Sequence, residues 1–347
     1  MTNIVKRTDD HKINSNLSIV KLIASFIVCS SHILDYLLWR NPSSPKELGT
    51  FFNMPFIWYF FWSGGIQVYL FCMISGYFSW KKIRSFNECL RRILKRYINF
   101  FIMILINNAL FVLIRTLSSD ISVSNIGSES VKMIVDSLLL NSYNGAFWMI
   151  RYMFVGNCFA YLLSYVYECD RKSFPACLLV ILPVSYILNW TILVTLSGIL
   201  LYEIVHLEKW KMSMHVSISV ILLTMYLIQH SFPIEEINIA YNFLLSFILC
   251  FMLCNIDMKI YEQFDRKISG FVQMCSTSMF CVHMIVVNFF TIPFYSYISM
   301  KSDPYVSVLV TYMSSLLISC ILALCYNYVE KFRNVICKRI DSYIFRM

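Results

Sequence analysis

Long apolar runs alternate along this chain with short connections that are polar and often basic. Runs of roughly 17–25 apolar residues suit helices that cross a bilayer. They fall near residues 18–39, 54–79, 97–117, 146–167, 174–190, 191–205, 213–232, 237–256, 270–294 and 304–328. The fifth and sixth are short and meet at a break around Asn189 and Trp190. The pattern predicts an all-α, polytopic membrane protein with about ten transmembrane helices.

Composition narrows the picture. Hydrophobic residues make up 58% of the chain and charged ones 14%, and the mean hydropathy is +0.64, above the apolar share of ordinary soluble domains. Nine glycines and eight prolines form no tract that would mark a linker. One membrane domain is therefore expected over residues 18–330, between a polar cytoplasmic amino terminus, 1–17, and a basic cytoplasmic tail, 331–347. The amino terminus, every second connection and the tail together hold 22 of the 29 Lys and Arg residues, and this bias sets both termini on the cytoplasmic side of a multi-pass cell-membrane protein. The net charge of +9 is thus a topology signal, and no nucleic-acid motif competes for it. Thirteen cysteines are scattered singly, without C-x-x-C spacing, and read as small hydrophobes, so no metal site is expected.

Ionisable residues inside such runs are expensive and point to function. In VKLIASFIVCSSHI, Lys21 and His32 are eleven residues apart. At about 100° per residue this gap closes three turns plus roughly 20°, so both project from one helix face, about 16 Å apart along the axis. The alternative for Lys21 is snorkelling to the headgroups, and for His32 a helix–helix hydrogen bond. Asp35, one turn on, can approach the imidazole and orient it, or simply stand in water at the helix end. Ser75 and Gly76 allow a close helix contact just before the most basic segment, in which Arg92, Lys95 and Arg96 share a helical face. Such a cluster can hold phosphates or anchor the chain to anionic lipid. His283 suits a core hydrogen bond or a substrate site. Arg151, in an aromatic helix that also carries Trp148, suits an internal salt bridge. Glu330 suits a charge partner or an interfacial position.

These residues occur in an order that resembles the acyltransferase-3 family of integral-membrane acyltransferases, which includes surface-polysaccharide O-acetyltransferases. Lys21 and His32 resemble its basic residue, ten-residue gap and histidine, with lysine where arginine is commoner. VYLFCMISGYF (68–78) is similar to its F-F-x-x-S-G-[FY] signature, with Cys72 in place of the second aromatic. RRILK (91–95) resembles its R-x-x-R element through Arg92 and Lys95. FWMIRYMF, LSGILLYE, STSMFCVHMIVV and NYVEK resemble its tryptophan-bearing, small-residue, serine-to-histidine and terminal-glutamate elements. The likeness runs over roughly residues 15–335.

The resemblance implies an acyltransferase moving groups other than aminoacyl groups, here an O-acetyltransferase. It would take acetyl from acetyl-CoA, or another acyl-CoA, as co-substrate, with no permanently bound cofactor. The acceptor would be a hydroxyl of a cell-surface glycan or lipid-linked sugar. His32 would act as general base or as an acyl-carrying nucleophile, oriented by Asp35. Lys21, Arg92 and Lys95 would hold donor phosphates. Ser75, Gly76, Trp148, Arg151, His283 and Glu330 would line or support the site. A transporter or flippase of a lipid-linked sugar or polysaccharide unit is the alternative, since intramembrane cations suit it too. Such a protein is expected to show internal repeats, which the halves of this chain lack.

Overall fold

In the computed structural model, which describes residues 2–40, 65–118, 123–206, 235–255 and 266–344, the chain is helical with no strand among the described residues. Eleven α-helices carry the argument: α1 (Thr2–Leu34), α2 (Gly65–Ser79), α3 (Phe86–Leu117), α4 (Ile126–Leu138), α5 (Trp148–Cys169), α6 (Phe174–Leu188), α7 (Trp190–His206), α8 (Glu235–Asn255), α9 (Arg266–Val286), α10 (Ile292–Ser299) and α11 (Pro304–Ile344). Two π-helical turns interrupt the regular pattern, Asp35–Arg40 after α1 and Val287–Thr291 between α9 and α10.

Five segments are long and apolar enough to cross a membrane: Asn16–Leu38, Phe86–Leu117, Gly145–Cys169, Met274–Ser299 and Pro304–Ile340. The predicted spans at 54–79, 174–190, 191–205 and 237–256 correspond to shorter apolar helices, Gly65–Ser79, Phe174–Leu188, Trp190–His206 and Asn242–Met252. Residues 54–64 of the first of these lie outside the described residues. The expected span at 213–232 lies outside the described residues. The break at Asn189 is present: its backbone is extended (φ −177°, ψ 131°), and its side-chain oxygen accepts the Thr191 N–H at 2.9 Å, which caps α7. The basic segment before the third apolar run is largely helical, as the shared face of Arg92, Lys95 and Arg96 requires. Ser85 accepts the Glu88 N–H at 3.2 Å, so α3 starts at Phe86 and carries Arg91 to Arg96.

By its internal contacts the chain divides into two units, residues 1–74 with 200–327 and residues 75–199 with 328–347. In the first, α1 packs most extensively on α9. Hydroxyls join its helices: Ser25 to the Ser276 carbonyl and hydroxyl, each at 2.9 Å, Ser30 to Tyr312 at 2.8 Å, and Thr291 to Ser315 at 2.8 Å. In lipid, where apolar burial does not drive helices together, such contacts and close packing do.

In the second unit α3 packs on α4 and α5, and α5 on α6. Asn108 ties α3 to the segment after α4. Its amide N–H groups reach the Ser137 hydroxyl (3.1 Å) and the Asn141 carbonyl (3.0 Å), while its oxygen accepts from Ser142 (3.1 Å) and the Tyr143 N–H (2.8 Å). Asn108→Leu keeps the volume and removes all four bonds, leaving the Asn141 carbonyl and the Tyr143 N–H without this partner, an expected loss of about 3 kcal/mol. Thermal unfolding in lipid nanodiscs checks this; an unchanged melting temperature would mean the knot contributes nothing. Two glycines let α2 and α5 approach α7. A Cβ on Gly76 would stand 1.7 Å from the Thr195 carbonyl oxygen, and one on Gly156 would stand 2.6 Å from Thr195 Cβ.

Candidate functional site

In the first unit, α1 is continuous from Lys21 to His32, so the shared face expected from their spacing is retained. Lys21 is half-buried, and its charge reaches Cys250 on α8. His32 occupies the last turn of α1, half-buried. Its ring stacks on that of His283 from α9, with centroids 5.3 Å apart and planes inclined by 23°. His283 is fully buried, and its Nδ1 lies 2.8 Å from the Phe280 carbonyl oxygen. A carbonyl only accepts, so Nδ1 carries the hydrogen of the neutral ring and Nε2 is left with its lone pair. That Nε2 is enclosed and has no hydrogen-bond partner. The Phe280 ring (5.6 Å) closes the other side of His283, and Phe71 packs on Phe280 in turn.

Asp35, one turn beyond His32, is near enough for its charge to act on the imidazole. Its carboxylate takes the Arg40 Nε–H at 2.7 Å, and no hydrogen bond joins it to His32 among the described residues. A π-helical turn begins at Asp35. Its i→i+5 geometry brings residue 40 over residue 35.

The second unit gathers the other candidates. Glu88 takes both the Arg92 Nη2 (2.6 Å) and Nε (3.2 Å) donors, while Lys95 is exposed on the same helix. Lys81 lies just beyond α2. Close approach of protein around its ammonium, then the like charges of Arg92, Arg96 and Lys95, lower its pKa from the usual lysine value. Positive potential therefore converges at this end of the unit.

Further along α3, Arg96 turns inward. Its Nη2 donates to the Ser75 hydroxyl at 2.5 Å, and its guanidinium lies 4.7 Å from the Phe100 ring centroid. Ser75 donates onward to Asn157 Oδ1 at 3.1 Å, and Ser79 lies 2.9 Å from the same oxygen. Glu330 is buried and pairs with Arg333 through Oε2 (2.7 and 3.1 Å), and Arg333 Nη1 also reaches the Asn99 carbonyl at 3.3 Å. Glu330 is thus a charge partner.

Two candidates face outward. Trp148 begins α5, is 46% exposed and lies edge-on to Trp190 at 6.2 Å. Arg151 is exposed and forms no ion pair among the described residues, in place of the internal salt bridge expected. It lies in the first turn of α5, near enough to the helix end for a long cation to reach polar surroundings. Sequence reasoning did not single out Asn157, an uncharged residue in an aromatic helix. It grouped Arg96 with Arg92 and Lys95, although only Arg96 is drawn inside.

No curated protein and no solved structure matches this chain. A family model described as an acyltransferase domain matches residues 14–324, nearly the whole of the membrane-embedded region. With the ordered motifs and the helical membrane architecture, that match shows that the chain belongs to the acyltransferase-3 family.

Proposed function

We propose that this protein is a membrane O-acyltransferase that moves acetyl from acetyl-CoA to a hydroxyl of a cell-surface or lipid-linked glycan. The observation that carries the reading is the His32–His283 pair: a half-open imidazole backed by a second, enclosed one whose tautomer is set. A half-open imidazole in a membrane helix has few structural uses and suits proton transfer.

In the direct route His32 takes the acceptor's hydroxyl proton as its oxygen bonds to the thioester carbonyl carbon. The carbon–sulfur bond then breaks, and the proton passes to the departing thiolate. In the covalent route a His32 nitrogen takes the acyl group first and yields it to the hydroxyl. Both routes produce an imidazolium or acyl-imidazolium at His32. A charge formed at His32 lies against the face of the His283 ring stacked on it. In this reading His283 supports His32, and Asp35, which also holds Arg40, acts on His32 by its charge. Lys21, Arg92 and Lys95 are proposed donor-phosphate contacts, each testable by itself. The remaining candidates, Ser75, Gly76, Trp148, Arg151 and Glu330, are proposed as supporting residues. The basic asymmetry favours ten spans and cytoplasmic termini, on the side where acyl-CoA is made.

The test compares envelope glycans from cells carrying wild type, His32→Ala or no protein by mass spectrometry. A base-labile acetyl mass present only with wild type is expected. Unchanged acetyl content with accumulation of a lipid-linked precursor would overturn acyl transfer.

A further inference from the structure

The chain between α3 and α5 folds back along α3. α5 lies beside the first half of α3, where the Tyr165 ring stands 6.0 Å from Phe86, and Phe154 stands 5.8 Å from Tyr97 and 6.4 Å from Phe100. The second half of α3 packs on α4 instead. The Asn108 amide reaches the Ser137 hydroxyl at 3.1 Å, and the Tyr97 hydroxyl donates to the Leu138 carbonyl at 2.7 Å. Asn108 lies nine residues before the end of α3 at Leu117, about 14 Å along the axis. The 13 residues of α4 rise about 20 Å, so α4 runs back beside that stretch and α5 continues in the same direction. Charge shows which stretch suits lipid. Arg91, Arg92, Lys95 and Arg96 belong to the half of α3 beside α5, whereas residues 100–114, FFIMILINNALFVLI, hold no charge.

The turn between α4 and α5 suits that depth. Backbone that leaves helical geometry inside a membrane needs partners within the protein. The Asn141 N–H reaches the Asp136 carbonyl at 2.8 Å and the Leu140 N–H the Ser137 carbonyl at 3.0 Å. Asn108 takes up the Asn141 carbonyl and the Tyr143 N–H, and Asn144 Oδ1 accepts the Ala146 N–H at 3.0 Å. The left-handed position (φ 56°) is filled by Leu140, which is buried, where helix ends favour glycine.

The faces of α4 are sorted to match. Ser137 is fully buried against α3. Val131, Ile134, Val135, Leu138 and Leu139 follow the i, i+3, i+4, i+7, i+8 pattern of one face and are 47–63% exposed. The charges of Glu129 and Asp136 are felt at Tyr143, whose hydroxyl is enclosed. Lys132 stands in the half of α4 farther from Asn108, where its stem can carry the ammonium out to the headgroups. We propose that α4 is the first half of a broken membrane span that α5 completes, and that the face from Val131 to Leu139 is seated against lipid acyl chains. No side chain of that face is charged, so its partner is the hydrocarbon of the bilayer. The number of crossings is unchanged, and the assignment is independent of acyl transfer.

The experiment uses the full chain in phosphatidylcholine nanodiscs. Val131 and Leu138 are replaced, one per variant, by a fluorescent acridone amino acid, and the discs are made with phosphatidylcholine brominated either near the headgroup or near the chain end. Both sites are expected to be quenched, with the ratio of chain-end to headgroup quenching at least twofold higher at Leu138 than at Val131. Equal ratios would describe a helix lying flat on the membrane surface and overturn the broken span. No quenching at either site would put water or a second copy on this face and overturn the lipid contact. Melting temperature shows that each variant folds, and Ile134 with Leu139 carries the same comparison where one of the first pair does not. No turnover is read, so failure of acyl transfer and failure of this assignment remain separate results.

Discussion

His32→Ala is expected to lower acyl transfer by roughly 10²–10⁴-fold, the range for loss of a positioned acid–base group, while melting temperature and the donor KM stay near wild type. The side chain is half-buried and its contact with His283 is a ring stack, so little packing depends on it. His283 separates support from packing. His283→Leu fills the volume and removes Nε2, and kcat is expected to fall at least tenfold with both KM values unchanged. His283→Gln puts an amide oxygen near the lost nitrogen and is expected to recover part of that kcat. Equal losses in both variants, together with a lower melting temperature, would reduce His283 to a packing residue. Unchanged transfer by well-folded His32→Ala would remove His32 from the chemistry. The measurement is steady-state transfer by purified protein with acetyl-CoA and a sugar acceptor.

Gly76→Ala is expected to be the most damaging single-methyl change in the second unit. Overpacking a core typically costs about 1–3 kcal/mol because side chains must leave good rotamers. Here the obstacle is the Thr195 carbonyl oxygen, 1.7 Å from the new Cβ, with Gly198 Cα at 3.4 Å. Backbone cannot change rotamer, so α2 and α7 must separate, and a loss above about 3 kcal/mol is expected. Gly156→Ala meets the Thr195 side chain instead, at 2.6 Å from Cβ and 2.8 Å from Cγ2. A double-mutant cycle distinguishes the two. Thr195→Gly should relieve Gly156→Ala and leave Gly76→Ala as damaging as before. Folded yield and melting in nanodiscs are the readouts, and a Gly76→Ala protein that melts like wild type would contradict the close approach.

Much of this architecture is legible in the sequence because hydropathy acts locally. The Asn189 break is visible from the shortness of its flanking runs, and α1 keeps Lys21 and His32 on one face because nothing between them interrupts the helix. The start of α3 is partly hidden. Positive charge suggests a connection, while Ser85 and Glu88 show the capping pattern that carries the helix through it. The π-helical turn after His32 leaves no hydrophobic period to read, so the pairing of Asp35 with Arg40 is not visible in the sequence. Arg92, Lys95 and Arg96 share a face by spacing, yet helix rotation against Ser75 and Phe100 draws only Arg96 inward. The meeting of His32 with His283, 251 positions later, is a property of tertiary packing that single-helix periodicity does not contain.

The hydroxyls that join helices in the first unit also bear on how the protein is made. Ser25 lies 2.8 Å from the carbonyl oxygen of Lys21 in its own helix, as well as reaching Ser276. Ser246 reaches Asn242 on its own helix at 2.6 Å and Ile66 at 3.0 Å. Thr291 likewise has the Val286 carbonyl at 3.3 Å besides Ser315. Each of these groups has an acceptor within its own segment before any neighbour arrives. A segment leaving the insertion machinery alone therefore carries no stranded hydroxyl at these positions into lipid, and its partner can follow later in synthesis. Biogenesis can then proceed one helix at a time, with the bonds between helices added on docking.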